Sequence, residues 1–370
     1  MGAALFEPLT LRGLTVRNRI VVSPMQTYSA PDAEPTAWHT AHLTRFALGG
    51  AGLVMVEATA VTPDGRSTDQ DLGLWSDQQT DALAALVGDM HECGAPVGLQ
   101  LQHAGRKAFT SPPWHGFSSV AIPAGEKVLG PDTRPASEGG HSPHPMTQAD
   151  MDRLISAYRD AALRANKAGV DLIEIHMAHG YLLHSFLSPL SNGRDDAYGG
   201  SLKGLMRFPM HVVEAVRSVW PSDKPLACRI SSVDGVGIGW SIEDSRALVA
   251  RLKQAGVDLI DCSSGGMVLP KKEMLLPRRA GFQVPFAADL RRSAGIATMA
   301  VGLITDPRHA EEIIVEGQAD LVALGRQMLA DPNWAVGAAT ALMGQSGYAR
   351  WPRPFGWWLD RRSRSSHIAG

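Results

Sequence analysis

The feature that most constrains the fold is a short repeated pattern, in which glycine is followed by a run of apolar residues. The glycine suits the left-handed conformation that ends a helix, and the run suits a strand buried on both faces of a parallel sheet. Five such runs occur: 53–57 after Gly50-Ala51-Gly52, 96–100 after Gly94, 170–176 after Gly169, 257–262 after Gly256 and 319–324 after Gly317. Three more candidate strands, at 19–22, 226–230 and 297–301, bring the number to eight.

The stretches between these strands predict helices. Thr147 and Asp150 form a variant of the capping box before one helix, and Ser241 and Asp244 repeat it before another. Because strands that alternate with helices favour a parallel sheet, and eight units favour closure, we expect an α/β fold of the (β/α)8 TIM barrel type. The alternative is an open, doubly wound sheet.

Composition excludes some classes of function. A chain of 370 residues fits one barrel with insertions, and its net charge of −2 gives no general attraction to nucleic acid or anionic membranes. The three cysteines are widely spaced, which favours a reducing compartment over a disulfide framework or a CxxC metal site. Residues 1–8 lack a secretory pattern, and no apolar run approaches the roughly 20 residues that span a bilayer. We therefore expect a cytoplasmic protein.

Two segments fall outside the repeat. Residues 110–146 follow the third strand and are rich in Pro, Gly, Ser and His, as expected of a loop over a catalytic face. Residues 350–358 contain three tryptophans and a phenylalanine, which predicts docking on their own barrel or against a second subunit. We therefore expect a barrel with an N-terminal cap at 1–345 and a C-terminal extension at 346–370, placed at a subunit interface.

The last three strand ends predict a phosphate site, because barrel active sites lie at the C-terminal ends of the strands. Ser264 and Gly265 follow the sixth strand, Gly302 follows the seventh, and Gly325 and Arg326 follow the eighth. Glycines let backbone N–H groups approach an anion, and Arg326 begins a helix whose dipole favours negative charge. The alternative is that these glycines only make tight turns.

Two histidines and a tyrosine follow the fourth strand. His176 and His179 could bind a metal, transfer protons or donate hydrogen bonds to an oxyanion. A metal would need further ligands, and no carboxylate lies beside them at a suitable spacing. Tyr181 favours catalysis over a purely structural pair, because a phenol can deliver a proton while the imidazoles hold an oxygen.

Arg229 ends the fifth strand and is expected to point into the barrel mouth, where a buried charge needs a partner. One interpretation is a salt bridge to an interior carboxylate such as Glu174 or Glu57. The other is a fixed positive charge against a cofactor that becomes anionic on reduction.

Taken together, the motifs resemble the old yellow enzyme family. The similar segments cover nearly the whole chain: Leu5-Phe6-Glu7-Pro8, Arg17-Asn18-Arg19-Ile20, Ser23-Pro24-Met25, Glu57-Ala58-Thr59-Ala60-Val61, Gln100-Leu101-Gln102-His103-Ala104-Gly105-Arg106-Lys107, His176-Met177-Ala178-His179-Gly180-Tyr181-Leu182 and Asp196-Ala197-Tyr198-Gly199-Gly200-Ser201. The tail motif Trp358-Leu359-Asp360-Arg361 resembles the bacterial branch that includes xenobiotic reductase A.

This resemblance implies an ene-reductase that binds FMN without a covalent bond, is reduced by NADPH or NADH, and reduces activated C=C bonds of α,β-unsaturated carbonyl compounds. It implies that His176 and His179 hold the substrate carbonyl oxygen and that Tyr181 gives a proton to the α-carbon. Tyr28 and Gln26 match substrate-contacting positions. No metal is implied.

The resemblance also implies the cofactor contacts. Gln100 and Arg229 match side chains at the pyrimidine edge of the flavin, and Pro24, Met25 and Ala58 match residues that line it. The complete predicted cofactor-binding set is Ser23, Pro24, Met25, Gln26, Ala58, Gln100, His176, Arg229, Ser264, Gly265, Gly302, Gly325 and Arg326.

The sequence departs from this branch at two places. Gln26 stands where the branch usually has a cysteine beside the flavin, so flavin potential and substrate choice are not inherited directly. Gly204-Leu205 replaces the usual Asn-Arg, which we interpret as local repacking.

The resemblance further implies a homodimer in which tail residues cross to the neighbouring active site. Trp358 is the favoured residue, with Arg350 or Arg353 as weaker candidates. A two-fold dimer is the simplest reciprocal assembly.

Three other functions remain as alternatives. One is an FMN-dependent dehydrogenase or oxidase in a biosynthetic pathway. A second, dihydrouridine synthesis on tRNA, normally requires a basic surface, which this slightly acidic chain does not predict. A third is a flavin-binding protein without turnover, which His176, His179 and Tyr181 disfavour.

Overall fold

The computed structural model describes residues 2–366 and has a closed barrel of eight parallel strands. The strands are β1 (Ile20–Val22), β2 (Leu53–Ala60), β3 (Val97–Gln102), β4 (Leu172–Met177), β5 (Leu226–Ser231), β6 (Leu259–Ser263), β7 (Ala297–Ala300) and β8 (Leu321–Leu324). Each strand pairs with the next along the chain, and β8 pairs with β1. The TIM-barrel prediction is therefore confirmed, and the open sheet is excluded.

Helices connect the strands and surround the barrel. They are α1 (Ala37–Leu48), α2 (Asp77–Glu92), α3 (Gln148–Lys167), α4 (Leu182–Leu187), α5 (Leu202–Val219), α6 (Ile242–Gln254), α7 (Val284–Ala294), α8 (Pro307–Val315), α9 (Arg326–Ala330), α10 (Trp334–Met343) and α11 (Arg353–Ser366). Both predicted capping boxes are present: Thr147 accepts from the Asp150 N–H, and Ser241 accepts from the Asp244 N–H, each at 3.2 Å. None of the helices within residues 2–366 is long and apolar enough to cross a membrane.

The glycines of the repeat adopt the conformation that the pattern predicts. Their φ angles are +89° at Gly50, +84° at Gly94, +86° at Gly169, +88° at Gly256 and +65° at Gly317. In this left-handed region a side chain is strained, so glycine is favoured where a helix ends and the chain turns into the next strand.

The barrel interior changes from apolar to polar towards the C-terminal ends of the strands. Inward-facing residues of the lower layers form one apolar cluster: Val21, Leu53, Met55, Leu172, Ala227, Leu259, Met299, Leu321 and Ala323. Because successive side chains on a strand alternate, the residues two positions further along also point inward. These include Glu174, Arg229 and Asp261, all of them buried. The apolar layers seal the bottom, and the polar layer supports the catalytic face.

A two-stranded hairpin, Leu9–Leu11 and Leu14–Val16, packs against this apolar cluster and forms the predicted N-terminal cap. At the opposite end, residues 110–146 form an extended loop whose longest paired segment is two residues per strand.

The C-terminal extension is mostly helical. Trp351 is half-buried, and its Nε1 donates to Thr340 Oγ1 at 3.4 Å. By contrast, Phe355, Trp357 and Trp358 on α11 are 49%, 50% and 67% exposed. The single chain therefore buries only the first of these aromatic residues. The end of the predicted extension, 367–370, lies outside the described residues.

Candidate active site

A cavity of about 490 Å³ opens at the C-terminal face of the barrel. It is lined by seven of the predicted cofactor-binding residues: Ser23, Pro24, Met25, Arg229, Gly302, Gly325 and Arg326. Four lining residues that the sequence did not single out are Ser263, Phe282, Gln283 and Gln327. Ser263 ends β6 on the inward face shared with Leu259 and Asp261, so strand alternation could have identified it.

One end of this cavity has the form of an anion site. Gly325 precedes α9, and its carbonyl already accepts from the Met328 N–H, so the N–H groups of Arg326 and Gln327 are the ones that the helix itself does not use. A Cβ at Gly302 would lie 3.1 Å from the Phe282 ring, and its φ of +125° also disfavours a side chain. Arg326 is exposed at the cavity edge. The glycines therefore keep the backbone accessible to a phosphate beside a guanidinium group.

The structure does not bring Ser264 and Gly265 to this cavity. The Ser264 hydroxyl contacts Gln283 at 3.3 Å. The Gly265 N–H donates to Val233 O, and its carbonyl accepts from Ser231 Oγ. Both residues hold the loop that follows β6 in position.

Arg229 forms an ion pair with Asp261, at 3.1 Å between Nε and Oδ2. Its Nη1 also donates to Ser23 Oγ at 3.3 Å. The interpretation of a salt bridge to an interior carboxylate is therefore confirmed, but the partner is Asp261 and not the suggested Glu174 or Glu57. Arg229 and Asp261 are directly opposite each other in the register of β5 and β6, which places both side chains on the inward face.

Glu57 instead fixes the segment after β1. Its two carboxylate oxygens accept from the N–H and the hydroxyl of Thr27, at 3.0 and 2.7 Å. The register of β2 shifts between Val56 and Thr59, a bulge that places Glu57 and the buried Ala58 at the barrel mouth. The two hydrogen bonds between Glu57 and Thr27 position Gln26 and Tyr28, the neighbours of Thr27 in the chain.

Gln26 and Tyr28 present polar groups that the chain leaves largely unused. The Gln26 Nε2 is buried without a hydrogen-bond partner in the described chain. Burial, with the Tyr181 phenol and the Asp71 carboxylate nearby, raises the pKa of Tyr28. Its ring packs edge-on against Trp114 of the long loop, with 5.6 Å between centroids.

His176, His179 and Tyr181 form one cluster at the end of β4. The His176 ring lies 5.1 Å from the rings of both His179 and Tyr181, centroid to centroid. His179 Nε2 contacts Ser263 Oγ at 2.6 Å, whereas His176 Nδ1 is buried without a partner among residues 2–366.

Electrostatics fixes the protonation of this cluster. Burial, assisted by the positive charge of Arg229, lowers the pKa of both histidines well below 6.5, so both are neutral at physiological pH. Burial raises the pKa of Tyr181 to about 12, and the Asp71 carboxylate acts in the same direction. The cluster thus offers two neutral imidazoles and one phenol that keeps its proton.

The long loop covers this cluster, as its composition predicts. Tyr181 lines a second cavity, of about 290 Å³, together with Lys107 from the end of β3 and Phe117, Ser137 and His141 from the loop. Trp358 lines neither this cavity nor the larger one within a single chain.

The larger cavity fits a flavin phosphate. Gly302, Gly325 and Arg326 line it together with Arg229 and Ser23. Gln100 lies in the same polar layer, where its Nε2 donates to Glu174 Oε1 at 2.7 Å. The unpaired Gln26 Nε2 and His176 Nδ1 supply further polar atoms at the barrel mouth. In the part of the chain that is described, no group of three His, Cys, Asp or Glu residues could hold a metal ion.

This barrel, with its phosphate cradle and neutral histidine pair, defines a flavin-dependent oxidoreductase. A model of the NADH:flavin oxidoreductase / NADH oxidase family matches residues 4–344, and the chain belongs to this family. It is an NAD(P)H-dependent enzyme of the old yellow enzyme type and uses FMN.

Relatives support this assignment across the whole barrel. The chain is 46% identical over 344 residues to an NADPH dehydrogenase of Geobacillus thermodenitrificans (strain NG80-2), covering 92% of this chain and 95% of the relative. It is 43% identical to an NADPH dehydrogenase of Bacillus subtilis (strain 168), covering 92% and 96%. Morphinone reductase in complex with tetrahydroNAD superposes with a TM-score of 0.75 at 25% identity, covering 90% and 91%.

Proposed function

We propose that this enzyme reduces the activated C=C bond of α,β-unsaturated carbonyl compounds, using NADPH or NADH as the reductant. The observation that carries the proposal is the pair of neutral histidines, one buried and one partly buried, beside a tyrosine that retains its proton. The bound FMN supplies the chemistry of hydride acceptance from the nicotinamide and hydride donation to the alkene. The chain must bind the carbonyl, stabilise its developing charge and deliver a proton.

His176 and His179 are suited to hold the carbonyl oxygen. A neutral imidazole can donate one hydrogen bond without neutralising the oxygen by proton transfer. Donors fixed before the reaction stabilise negative charge as it develops on the oxygen. The contact of His179 with Ser263 and the packing of both rings fix their orientation.

Tyr181 is suited to deliver the proton to the α-carbon. Its raised pKa keeps the hydroxyl protonated over the working pH range, and it lines the cavity beneath the long loop. Tyr28 and Gln26, which Glu57 positions through Thr27, are proposed as further substrate contacts.

The cofactor contacts are proposed from the same geometry. Gln100 and Arg229 are placed to meet the pyrimidine edge of the flavin from inside the barrel. Gly302, Gly325 and Arg326 are placed to hold its phosphate. The remaining proposed contacts are Ser23, Pro24, Met25, Gln26, Ala58 and His176.

An anaerobic substrate panel tests this function. The enzyme is reduced with one equivalent of NADPH, and reoxidation of the flavin is followed by its absorbance after mixing with cyclic enones, α,β-unsaturated aldehydes or the matching saturated ketones. We expect rapid reoxidation with the unsaturated compounds only. Reoxidation by none of the alkenes, but by oxygen admitted afterwards, would favour the oxidase alternative, and reduction of the oxidised flavin by saturated ketones in a parallel experiment without NADPH would favour the dehydrogenase.

We also propose that the active form is a cytoplasmic homodimer acting on a small molecule. The support for the dimer is the exposed aromatic surface of α11, which a second copy of the chain could cover.

A further inference from the structure

Beneath the larger cavity lies a buried cluster of three charged side chains. Glu174 from β4, Arg229 from β5 and Asp261 from β6 all occupy inward positions of the polar layer. Glu174 and Asp261 have no solvent exposure, and Arg229 is 7% exposed. Arg229 also lines the cavity above, so it lies between the carboxyl groups and the cofactor site.

The charges of this cluster do not balance if both carboxyl groups are ionised. Two carboxylates and one guanidinium give a net charge of −1 in a layer with almost no solvent exposure, which is a costly arrangement. One proton on either carboxyl group makes the cluster neutral. The neutral form is therefore favoured by burial alone.

The hydrogen bonds lead to the same conclusion. Glu174 Oε1 accepts from Gln100 at 2.7 Å, but Glu174 Oε2 has no partner in the described chain. Both oxygens of Asp261 are also without a hydrogen-bond donor there, and its ion pair with Arg229 has a 3.1 Å separation. A carboxyl O–H is the missing donor, since buried oxygen atoms normally have a partner.

The other groups that face the cluster do not supply this charge. Gln100 and Ser23 are uncharged, and burial keeps His176 neutral. Cys228 and Cys262 lie on the outer face of the same strands, and burial raises the pKa of both, so these thiols keep their protons. Glu57, the carboxyl on β2, is bound instead to Thr27.

We propose that Glu174 and Asp261 hold one proton between them, and that this proton helps to set the reduction potential of the bound FMN from beneath. Glu174 acts through Gln100 and Arg229 and is thus a positioning residue. Burial and the neighbouring Asp261 carboxylate raise the pKa of Glu174, in agreement with this assignment. The proposal depends on the proposed placement of the flavin against Gln100 and Arg229, but not on the alkene substrate.

The sign of the effect follows from electrostatics. Reduction by two electrons increases the negative charge on the cofactor, which raises the pKa of the carboxyl pair. Below the pKa of the oxidised state, the pair is already protonated and takes up nothing more. Between this pKa and the higher pKa of the reduced state, the cluster has a net charge of −1 before reduction, and reduction draws one proton from solvent water onto the pair. The electrons come from the external reductant.

The test is the midpoint potential of the FMN-loaded enzyme as a function of pH, titrated with dithionite in the absence of any alkene. Each additional proton taken up with two electrons adds about 30 mV for each tenfold change in proton concentration. We expect the wild-type slope to steepen by up to this amount between the pKa of the pair in the oxidised enzyme and its higher pKa in the reduced enzyme. Glu174→Gln and Asp261→Asn each leave a cluster that is neutral without a proton, so both should lose the steepening.

Glu311→Gln is a matched control, because Glu311 binds the N–H groups of Ala4 and Leu5 at the outer end of the barrel. It should titrate as the wild type does. The proposal is overturned if the plot of midpoint potential against pH changes slope in Glu174→Gln as it does in the wild type, or if the wild-type plot shows no such change of slope, called the break below. If a variant fails to bind FMN, the redox-induced infrared difference spectrum of the wild type replaces it. Above the break, a carboxyl C=O band must appear on reduction, and its absence overturns the proposal.

Discussion

At the residue scale, Tyr181 shows how burial prepares a side chain for one step of a reaction. Its hydroxyl keeps a proton because burial and Asp71 both raise its pKa. We predict that Tyr181→Phe slows alkene reduction by ~10²–10⁴-fold, the usual contribution of a general acid, while flavin reduction by NADPH is nearly unchanged. Stopped-flow measurement of the two half-reactions checks this. Tyr198→Phe, which removes a hydroxyl bound to Gln148 outside the site, should change neither, and equal losses in both half-reactions would make Tyr181 structural.

The pKa shifts also predict a pH profile. The histidines become charged only well below pH 6.5, and the Tyr181 hydroxyl ionises only near pH 12. Between these two pH values, the substrate-binding imidazoles stay neutral and the proton donor stays protonated. We predict that neither the imidazoles nor the phenol contributes a pKa between about pH 7 and 10 to the rate constant for alkene reduction, so any pH dependence in that range comes from the carboxyl pair and is absent in Glu174→Gln. A fall through a pKa near 6.5 or 10 in that variant would contradict this.

Gln26 stands where the bacterial branch that this chain resembles usually has a cysteine beside the flavin. Its Nε2 is buried and unpaired beside the cofactor cavity, so the amide dipole should be felt by the flavin. We predict that Gln26→Cys changes both the FMN midpoint potential and the ranking of alkene substrates. Spectroscopic titration and kcat/KM over the panel measure these. If neither quantity changes, position 26 does not contact the flavin.

At the element scale, the turn from β4 to α4 carries the catalytic side chains. His179 and Gly180 have successive positive φ angles of +60° and +76°. The Gly180 N–H donates to His184 Nδ1, and His184 Nε2 lies 2.9 Å from an oxygen of the buried Asp234 carboxyl group. Lys107 Nζ donates to the carbonyls of His179 and Gly266. These contacts hold a strained turn in the conformation that brings Tyr181 to the smaller cavity.

We predict that Gly180→Ala destabilises the protein by at least about 1–2 kcal/mol, which is the cost of placing a residue with a Cβ in the left-handed backbone conformation. A Cβ there would also lie 2.4 Å from the Gly266 carbonyl oxygen. Urea denaturation and alkene turnover should both decline. Gly88→Ala is the control: it lies in α2 with nothing within 4 Å of its Cβ, so it should stabilise by about 0.5–1 kcal/mol. Unchanged stability of the Gly180 variant would show that the turn adapts.

The elements were largely predictable from the sequence, but the inside of the barrel was not. Helix-ending glycines and capping boxes act locally, so their signal is contained in a few neighbouring residues. Strands buried on both faces have continuous apolar runs, and such runs do not indicate which side chains point inward. Asp261 was therefore overlooked as the partner of Arg229, and the β2 bulge at Glu57 left no local signal. Ser264 and Gly265 were expected in the phosphate site but do not line the larger cavity. The path of the loop that carries them depends on tertiary contacts, which the local sequence does not indicate.

At the scale of the whole molecule, the C-terminal helix exposes an aromatic surface that the single chain does not cover. A monomeric surface rarely exposes several large aromatic side chains together. On α11, Phe355, Trp357 and Trp358 are each about half exposed or more. The Trp357 and Trp358 rings pack against each other at 4.5 Å, and Arg361 covers one face of Trp357. These contacts order the side chains within the helix but leave Trp358 facing outward.

We predict that α11 crosses to a second copy of the chain and that Trp358 completes the partner's substrate site. The contact is reciprocal, so a two-fold dimer satisfies both copies. Removal of residues from Arg350 onwards should weaken the dimer in sedimentation velocity and raise KM for the alkene without affecting FMN content. Trp358→Ala should raise KM while the dimer persists, because the rest of the helix still docks. Trp38→Ala provides the matched control, since Trp38 is also a half-exposed tryptophan but lies on α1, stacked on His42. A truncated enzyme that keeps its sedimentation coefficient and its KM would show that α11 plays no part in assembly or substrate binding.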